Sequence, residues 1–219
     1  YFFFAPDYEW GHRQCDDFMV VIKKAIPEAE VVGECWPKMG EVDMTPFVSK
    51  MAASDAEVVV SAHYGADIVA FFRQAEPYKL WERMVYANPL IADVPSIMPL
   101  GWTCPEGQYG AMWYLPYYET PENDKYKAEV RMWWGKDPDN RFYEGDQMNT
   151  EFLLQAIKKA GTIDTDAVIA AGEGLKWQTA MGDTLEMRAF DHQALVPMYS
   201  GITTHDPAYP DYTIMTNIT

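Results

Sequence analysis

The chain is expected to fold as an α/β protein in which parallel strands are flanked by helices, and three observations predict this. Apolar runs of strand length alternate with amphipathic helical patterns through the first half of the chain. The intervals between successive strands are long enough for the crossover connections that parallel strands require, and 48% of the 219 residues are hydrophobic, enough for a sizeable core.

Taken in order, residues 1–5 read as an apolar strand closed by Pro6-Asp7. A helical pattern follows in which Cys15, Phe18, Met19, Ile22, Ala25 and Ile26 share one face, and Pro27 ends it. Residues 30–36 form the second expected strand. Asp43 to Pro46 carries start signals, with Thr45 suited to the N-cap and Pro46 to N1, for a helix bearing Phe47, Met51 and Ala52. Residues 57–62 read as a β-branched buried strand, His63 to Asp67 as a turn, and Ile68, Phe71, Phe72 and Ala75 as the apolar face of the next helix. Residues 83–87 supply a further strand. After a Pro- and Gly-containing stretch over 88–104, residues 108–118 resemble one more strand ending in Pro-Tyr-Tyr-Glu-Thr-Pro, where a boundary is expected near Tyr118.

Beyond that point the pattern becomes helical. Residues 123–134 align Tyr126, Val130 and Trp133, and residues 148–160 form a helix ended by Gly161. A shorter helix capped by Asp164 or Thr165 turns Val168 and Ile169 inward. The tail from Thr184 alternates and contains Pro197, Pro207 and Pro210, as short strands joined by loops would.

Composition removes several functions. Acidic residues number 33 against 17 basic, a formal charge of −16, which repels phosphate backbones and makes nucleic acid an unsuitable partner. No uncharged run approaches the ~18 residues of a membrane helix. Cys15, Cys35 and Cys104 form no C-x-x-C pair, so neither a zinc ribbon nor a disulfide scaffold is supported. The aromatic share of 15% exceeds what a minimal core requires, and surplus Tyr and Trp often line ligand clefts.

Motifs that place a nucleophile, a phosphate cradle or a metal pair at fixed spacing are absent, so no catalytic residue, metal or cofactor is assigned. Gly172-Glu173-Gly174 lacks the third glycine of a dinucleotide loop and reads as a helix-end turn. His63 and Asp67 would chelate only on one helix, and His63 falls in the turn before it. Polar and aromatic residues do gather at the carboxyl ends of the expected parallel strands, where open α/β sheets place ligands: Asp7-Tyr8-Glu9-Trp10, His63-Tyr64-Gly65-Ala66-Asp67 and Asn88-Pro89. Helix N-termini follow the first two groups and offer backbone N–H donors to a carboxylate or carbonyl oxygen, while Asp7 and Asp67 read as helix caps.

Six blocks carry a family resemblance: "FFFAPDYEWG", "EVDMTPFVSKM", "DAEVVVSAHYGADIVAFFRQA", "TPENDKY", "FLLQAIKKAG" and "EMRAFDHQALVPMYSG". In this order, across nearly the whole chain, they resemble the periplasmic substrate-binding proteins of ABC transporters for branched-chain amino acids and related ligands. The resemblance implies a two-lobed type I periplasmic binding fold that holds a ligand between its lobes. It makes residues 1–118, with 196–219 returning, lobe two, and residues 119–195 the later part of lobe one. A first-lobe segment, carrying Ser and Thr that bind a ligand carboxylate, is expected upstream of "PDYEWG".

Carried over by position, the resemblance implies ligand contacts at Tyr8, at the turn His63, Tyr64, Gly65 and Ala66, at Asn88, and at the aromatic before the long helix, Phe142 or Tyr143. In leucine-type members an acidic residue after the fourth strand meets the ligand ammonium. Asn88-Pro89 stands in that turn here, which opens the ligand class to aromatic acids, other carboxylates and small amides. The implied function is capture of a small solute in the periplasm or outside the cell and delivery to an ABC permease, with any lipid anchor in the segment upstream. A sensing module of the same fold is the alternative. A hydrolase using Asp7 and Glu9 is disfavoured, because the two carboxylates flank Tyr8 one residue either side and would need converging geometry.

Overall fold

The computed structural model describes residues 1–138 and 147–219, and the chain divides into two compact units, Tyr1–Met112 with Ser200–Thr219, and Trp113–Tyr199. In the first unit β1 (Phe2–Phe4) is followed by α1 (Glu9–Ala25), β2 (Gly33–Cys35), α2 (Thr45–Ala52), β3 (Val58–Ser61), α3 (Ala66–Ala75) and β4 (Val85–Ala87). The one-turn helix α4 (Val94–Ile97), with 3-10 turns on either side, leads to β5 (Tyr109–Met112). Two of the differences from expectation are of length. The strand expected over 108–118 keeps its pairing only to Met112, and Thr45 is the first helical residue, since Met44 takes the cap position without a side-chain bond.

The second unit contains α5 (Pro121–Trp134), α6 (Met148–Ala160), α7 (Thr165–Gly172) and a three-stranded antiparallel sheet of β6 (Lys176–Gln178), β7 (Thr184–Met187) and β8 (Ala194–Leu195). Thr120 caps α5 by accepting from the Asn123 N–H at 3.1 Å, and Asp164 caps α7 by accepting from the Ala167 N–H at 3.0 Å. Gly161 ends α6 at φ 67°. Tyr126 and Val130 face inward as expected, but Trp133 is 88% exposed, because Tyr126, Val130 and Trp133 fill a wider arc than the buried face of α5. Ile169 on α7 also faces out, at 48% exposure.

β9 (Tyr199–Thr204) and β10 (Ile214–Thr216) complete a seven-stranded sheet in the order β10-β9-β5-β4-β3-β1-β2. β1 pairs in parallel with both β2 and β3, and β3 with β4 and β4 with β5 are also parallel; β9 and β10 form an antiparallel edge. The chain steps from β1 outward to β2, then returns past β1 to β3. That reversal sends α1 to one face of the sheet and α2 and α3 to the other.

Period-two alternation explains how β1 serves both faces. Phe2 and Phe4 enter the core with Val59, Ile68, Phe71 and Tyr86 on the α2–α3 side, while Phe3 and Ala5 pack with Cys15, Val60 and Ala62 beneath α1. A strand buried on both faces is the expected environment of a parallel sheet interior. On the α1 side a groove of about 350 Å³ runs over β4 and β5, between Phe18 and Val21 of α1 and Ala87, Tyr109 and Ala111 of the sheet.

Candidate functional site

In open parallel sheets the crevice for a ligand opens outside the carboxyl ends of the strands where the winding direction reverses. Here that point lies between β1 and β3. The loops leaving them carry Tyr8 and Trp10 on one side and His63, Tyr64 and Gly65 on the other.

Tyr8 is the N-cap residue of α1, in extended conformation at φ −156°, ψ 171°, and its side chain makes no cap bond, which leaves the ring free to lie on the rim. It stacks on Trp10 with centroids 6.2 Å apart and planes 25° apart, and Trp10 meets Tyr64 edge to face at 6.0 Å and 86°. Burial, together with a hydrogen bond to Tyr64, pushes the Tyr8 phenol up to about 12, so the Tyr8 ring stays a neutral phenol at physiological pH. Tyr64 is half exposed and its hydroxyl donates to Met39 Sδ at 3.4 Å.

Gly65 turns the chain into α3 at φ 60°, ψ −132°, a region that only glycine adopts without strain. Its N–H donates to Ser96 Oγ at 2.9 Å, and Ser96 in turn donates to the Asp93 carboxylate. Asp67, one residue past Ala66 in the first turn of α3, does not cap its own helix. Both its oxygens accept from the Gly40 N–H, at 3.2 and 3.1 Å, and pin the loop that follows β2. It is 8% exposed, and among the described residues no Lys, Arg or His nitrogen forms an ion pair with it.

His63 and Asn88 lie beneath this rim. His63 is fully buried; its Nδ1 sits 3.2 Å from Phe4 O and 3.2 Å from Ser61 Oγ, which places the proton on Nδ1 as donor to the carbonyl. Burial lowers the imidazole to about 4, and Nε2 has no hydrogen-bond partner among the described residues. Asn88 Nδ2 donates to His63 O at 2.8 Å and to Tyr86 Oη at 2.9 Å, and Oδ1 accepts from the Leu90 N–H at 2.9 Å. Tyr86 Oη donates onward to Ser61 Oγ at 2.8 Å, and burial holds this phenol far above its ordinary value. One network therefore ties the ends of β1, β3 and β4 together from below. Its side chains are occupied with each other and shape the rim rather than line it.

Of the residues singled out from the sequence, Tyr8, Tyr64, Gly65 and Ala66 stand around the switch point, His63 and Asn88 stand under it, and Phe142 and Tyr143 lie outside the described residues. Trp10 stood in the first strand-end group but not among the expected ligand contacts, although it joins Tyr8 to Tyr64. Its signal was position: it lies two residues beyond Tyr8, on the first turn of α1. Among the described residues no group of three His, Cys, Asp or Glu side chains is placed to hold a metal ion, and no helix is long and apolar enough to cross a membrane.

The profile of the family described as periplasmic binding protein matches residues 1–201. The chain belongs to that family. A Leu/Ile/Val-binding protein homolog from Brucella melitensis biotype 1 is 24% identical over 204 residues, covering 88% of this chain and 46% of its own length. Among solved structures, an amino acid ABC transporter substrate-binding protein from Pseudomonas fluorescens Pf-5 superimposes with a TM-score of 0.85 at 21% identity, over 100% of this chain and 58% of that one. A solute-binding protein of an ABC transporter from Rhodopseudomonas palustris HaA2, in complex with p-hydroxybenzoic acid, gives 0.85 at 15% identity, over 100% and 59%. The sequence thus spans about half of the curated relative and under three fifths of these structures. Within the family fold, the loops after β1 and β3 of this periplasmic binding protein are the ones that carry its rim of aromatic rings.

Proposed function

We propose that the chain is part of an extracytoplasmic solute-binding protein that captures a small carboxylate, amino acid or related ligand and passes it unchanged to the membrane permease of an ABC transporter. The observation that carries this reading is the rim itself. Aromatic rings and a glycine turn gather at the winding reversal of a doubly wound sheet, in a member of the periplasmic binding protein family. In this reading residues 1–118 and 196–219 belong to lobe two and residues 119–195 to lobe one, and the rim is one wall of the ligand site. The relatives support small ligands of this kind, since one is a Leu/Ile/Val-binding homolog and another was solved with p-hydroxybenzoic acid.

A binding protein of this type works by population shift. The ligand must prefer the closed form, and a preference of a few kcal/mol is sufficient to move most molecules into it. The full-length protein is expected to show a thermal shift with one class among amino acids, aromatic acids, dicarboxylates and short amides, and a matching compaction by small-angle scattering. Ligand at ~100 times its Kd adds about 2.7 kcal/mol to stability, well within detection. A protein whose melting and scattering stay unchanged across that panel does not have this function.

A further inference from the structure

Beside the rim stands a thioether that is bonded to it. Met39 is 63% exposed, and its sulfur accepts a hydrogen bond from the Tyr64 hydroxyl at 3.4 Å. The Tyr64 ring meets Trp10 edge to face, and Trp10 stacks on Tyr8, so a change at the sulfur is passed to all three rings. The backbone around Met39 is fixed from two directions. Glu41 N–H donates to Lys38 O at 3.0 Å and closes a turn with Gly40 at φ 79°, and the Gly40 N–H donates to the Asp67 carboxylate. A change at the sulfur is therefore taken up by the side chains of Met39 and Tyr64, not by the loop.

A thioether is a weak hydrogen-bond acceptor, whereas its sulfoxide is polar and carries an oxygen acceptor that projects beyond the sulfur. We propose that Met39 is an oxidation site that resets the rim: its sulfoxide oxygen takes over the Tyr64 hydroxyl and tilts that ring away from its place against Trp10. The tilt follows from size, since an oxygen then stands between sulfur and hydroxyl and the two must move apart. The inference rests on the solute-binding reading for its consequence, a weaker hold on the solute. A peroxide supplies the oxygen. The sulfur lone pair attacks one peroxide oxygen and forms the S–O bond as the O–O bond breaks. Sulfur loses the two electrons that the peroxide gains, and the second oxygen takes up the proton of the first and leaves as water. Met44, Met51, Met84 and Met112 are at most 2% exposed, which keeps their sulfurs out of a peroxide's reach. Methionine sulfoxide reductases return the sulfoxide to the thioether, so the rim can be restored.

The test treats the full-length protein, with isotope-labelled tyrosine rings, with dilute hydrogen peroxide. Peptide mass spectrometry is expected to show Met39 oxidising within about threefold of the rate at Met132, which is 76% exposed, while Met44 and Met51 stay reduced. The magnetic resonance signal of the Tyr64 ring, assigned by its loss in Tyr64→Phe, is expected to shift as Met39 oxidises. In peroxide-treated Met39→Leu, an apolar exchange at an exposed position, it is expected to stay in place. Calorimetric titration with L-leucine and 4-hydroxybenzoate is expected to show binding weakened by about fivefold or more on oxidation, restored by methionine sulfoxide reductase, and unchanged by peroxide in Met39→Leu. Met39 staying reduced while Met132 oxidises, or a Met39 sulfoxide that leaves the Tyr64 signal unmoved, overturns the proposal. A Tyr64 shift with solute binding unchanged overturns its consequence. Absence of binding by either probe in the untreated protein counts against the solute-binding reading alone, and the Tyr64 signal still decides for Met39.

Discussion

His63 illustrates how a residue chosen for chemistry turns out to hold structure. Its ring lies against Phe4 at 4.3 Å between centroids and donates to the Phe4 carbonyl, so its place is the junction of β1 and β3. The folded pKa near 4 lies below the ordinary 6.5, which fixes the direction of its effect on stability. Between pH 6.5 and 4 the unfolded chain binds a proton that the native chain refuses, so stability is fully present above pH 6.5 and is lost as pH falls toward 4. A shift of this size corresponds to ~3 kcal/mol at the acid end. Denaturant midpoints at pH 7 and pH 4.5 are expected to differ by less in His63→Gln, which can still donate to Phe4 O but does not titrate. Equal pH dependence in the two proteins would remove His63 from the account.

At the scale of elements, the entry into α1 places the rim. Gly11 is the third residue of that helix, and a Cβ there would stand 2.1 Å from the Pro6 carbonyl oxygen. In an open helix Gly→Ala stabilises by about 1 kcal/mol. Here the obstacle is backbone, which cannot rotate away, and overpacking of this kind costs about 1–3 kcal/mol. The clash outweighs the propensity, so Gly11→Ala is expected to lower the melting temperature by several degrees, at roughly 2–4 °C per kcal/mol for a chain of this size. A rise in melting temperature would mean that α1 does not sit against Pro6. The same stretch shows what the sequence could disclose. Apolar periodicity located β1 to β4 and the three helices between them to within a few residues, because each element there buries a distinct face, but it ran the next strand past Met112 and gave no sign of α4. It misplaced Trp133 and Ile169, since periodicity marks which residues share a face but not how wide the covered arc is. Strand ends pointed to the loops after β1 and β3, yet sequence order could not say that Asn88 and His63 bond each other beneath the rim while Trp10 rises into it. That distinction depends on contacts between residues 25 apart, such as Asn88 Nδ2 to His63 O, which leave no local pattern.

For the whole molecule, the three thiols offer a reporter confined to one unit. Cys15, Cys35 and Cys104 are free, buried and all within the first unit: Cys15 lies on the inner face of α1, and Cys35 and Cys104 belong to the opposite core. Burial pushes Cys15 and Cys104 up to about 12, so neither presents a thiolate while the fold is intact. A thiol reagent therefore reports openings of the first unit, whether local or global. Where closing is faster than modification, the labelling rate follows the population of the open form, and anything that binds only the folded protein lowers that population by the factor 1 + [L]/Kd. Ligand at ~100 times its Kd is then expected to slow labelling by about a hundredfold at all three positions if they open together. Slowing at Cys15 alone would show that α1, which carries Trp10, opens separately from the sheet. No slowing under a ligand that raises the melting temperature would place the bound solute away from the first unit altogether, and the rim with it.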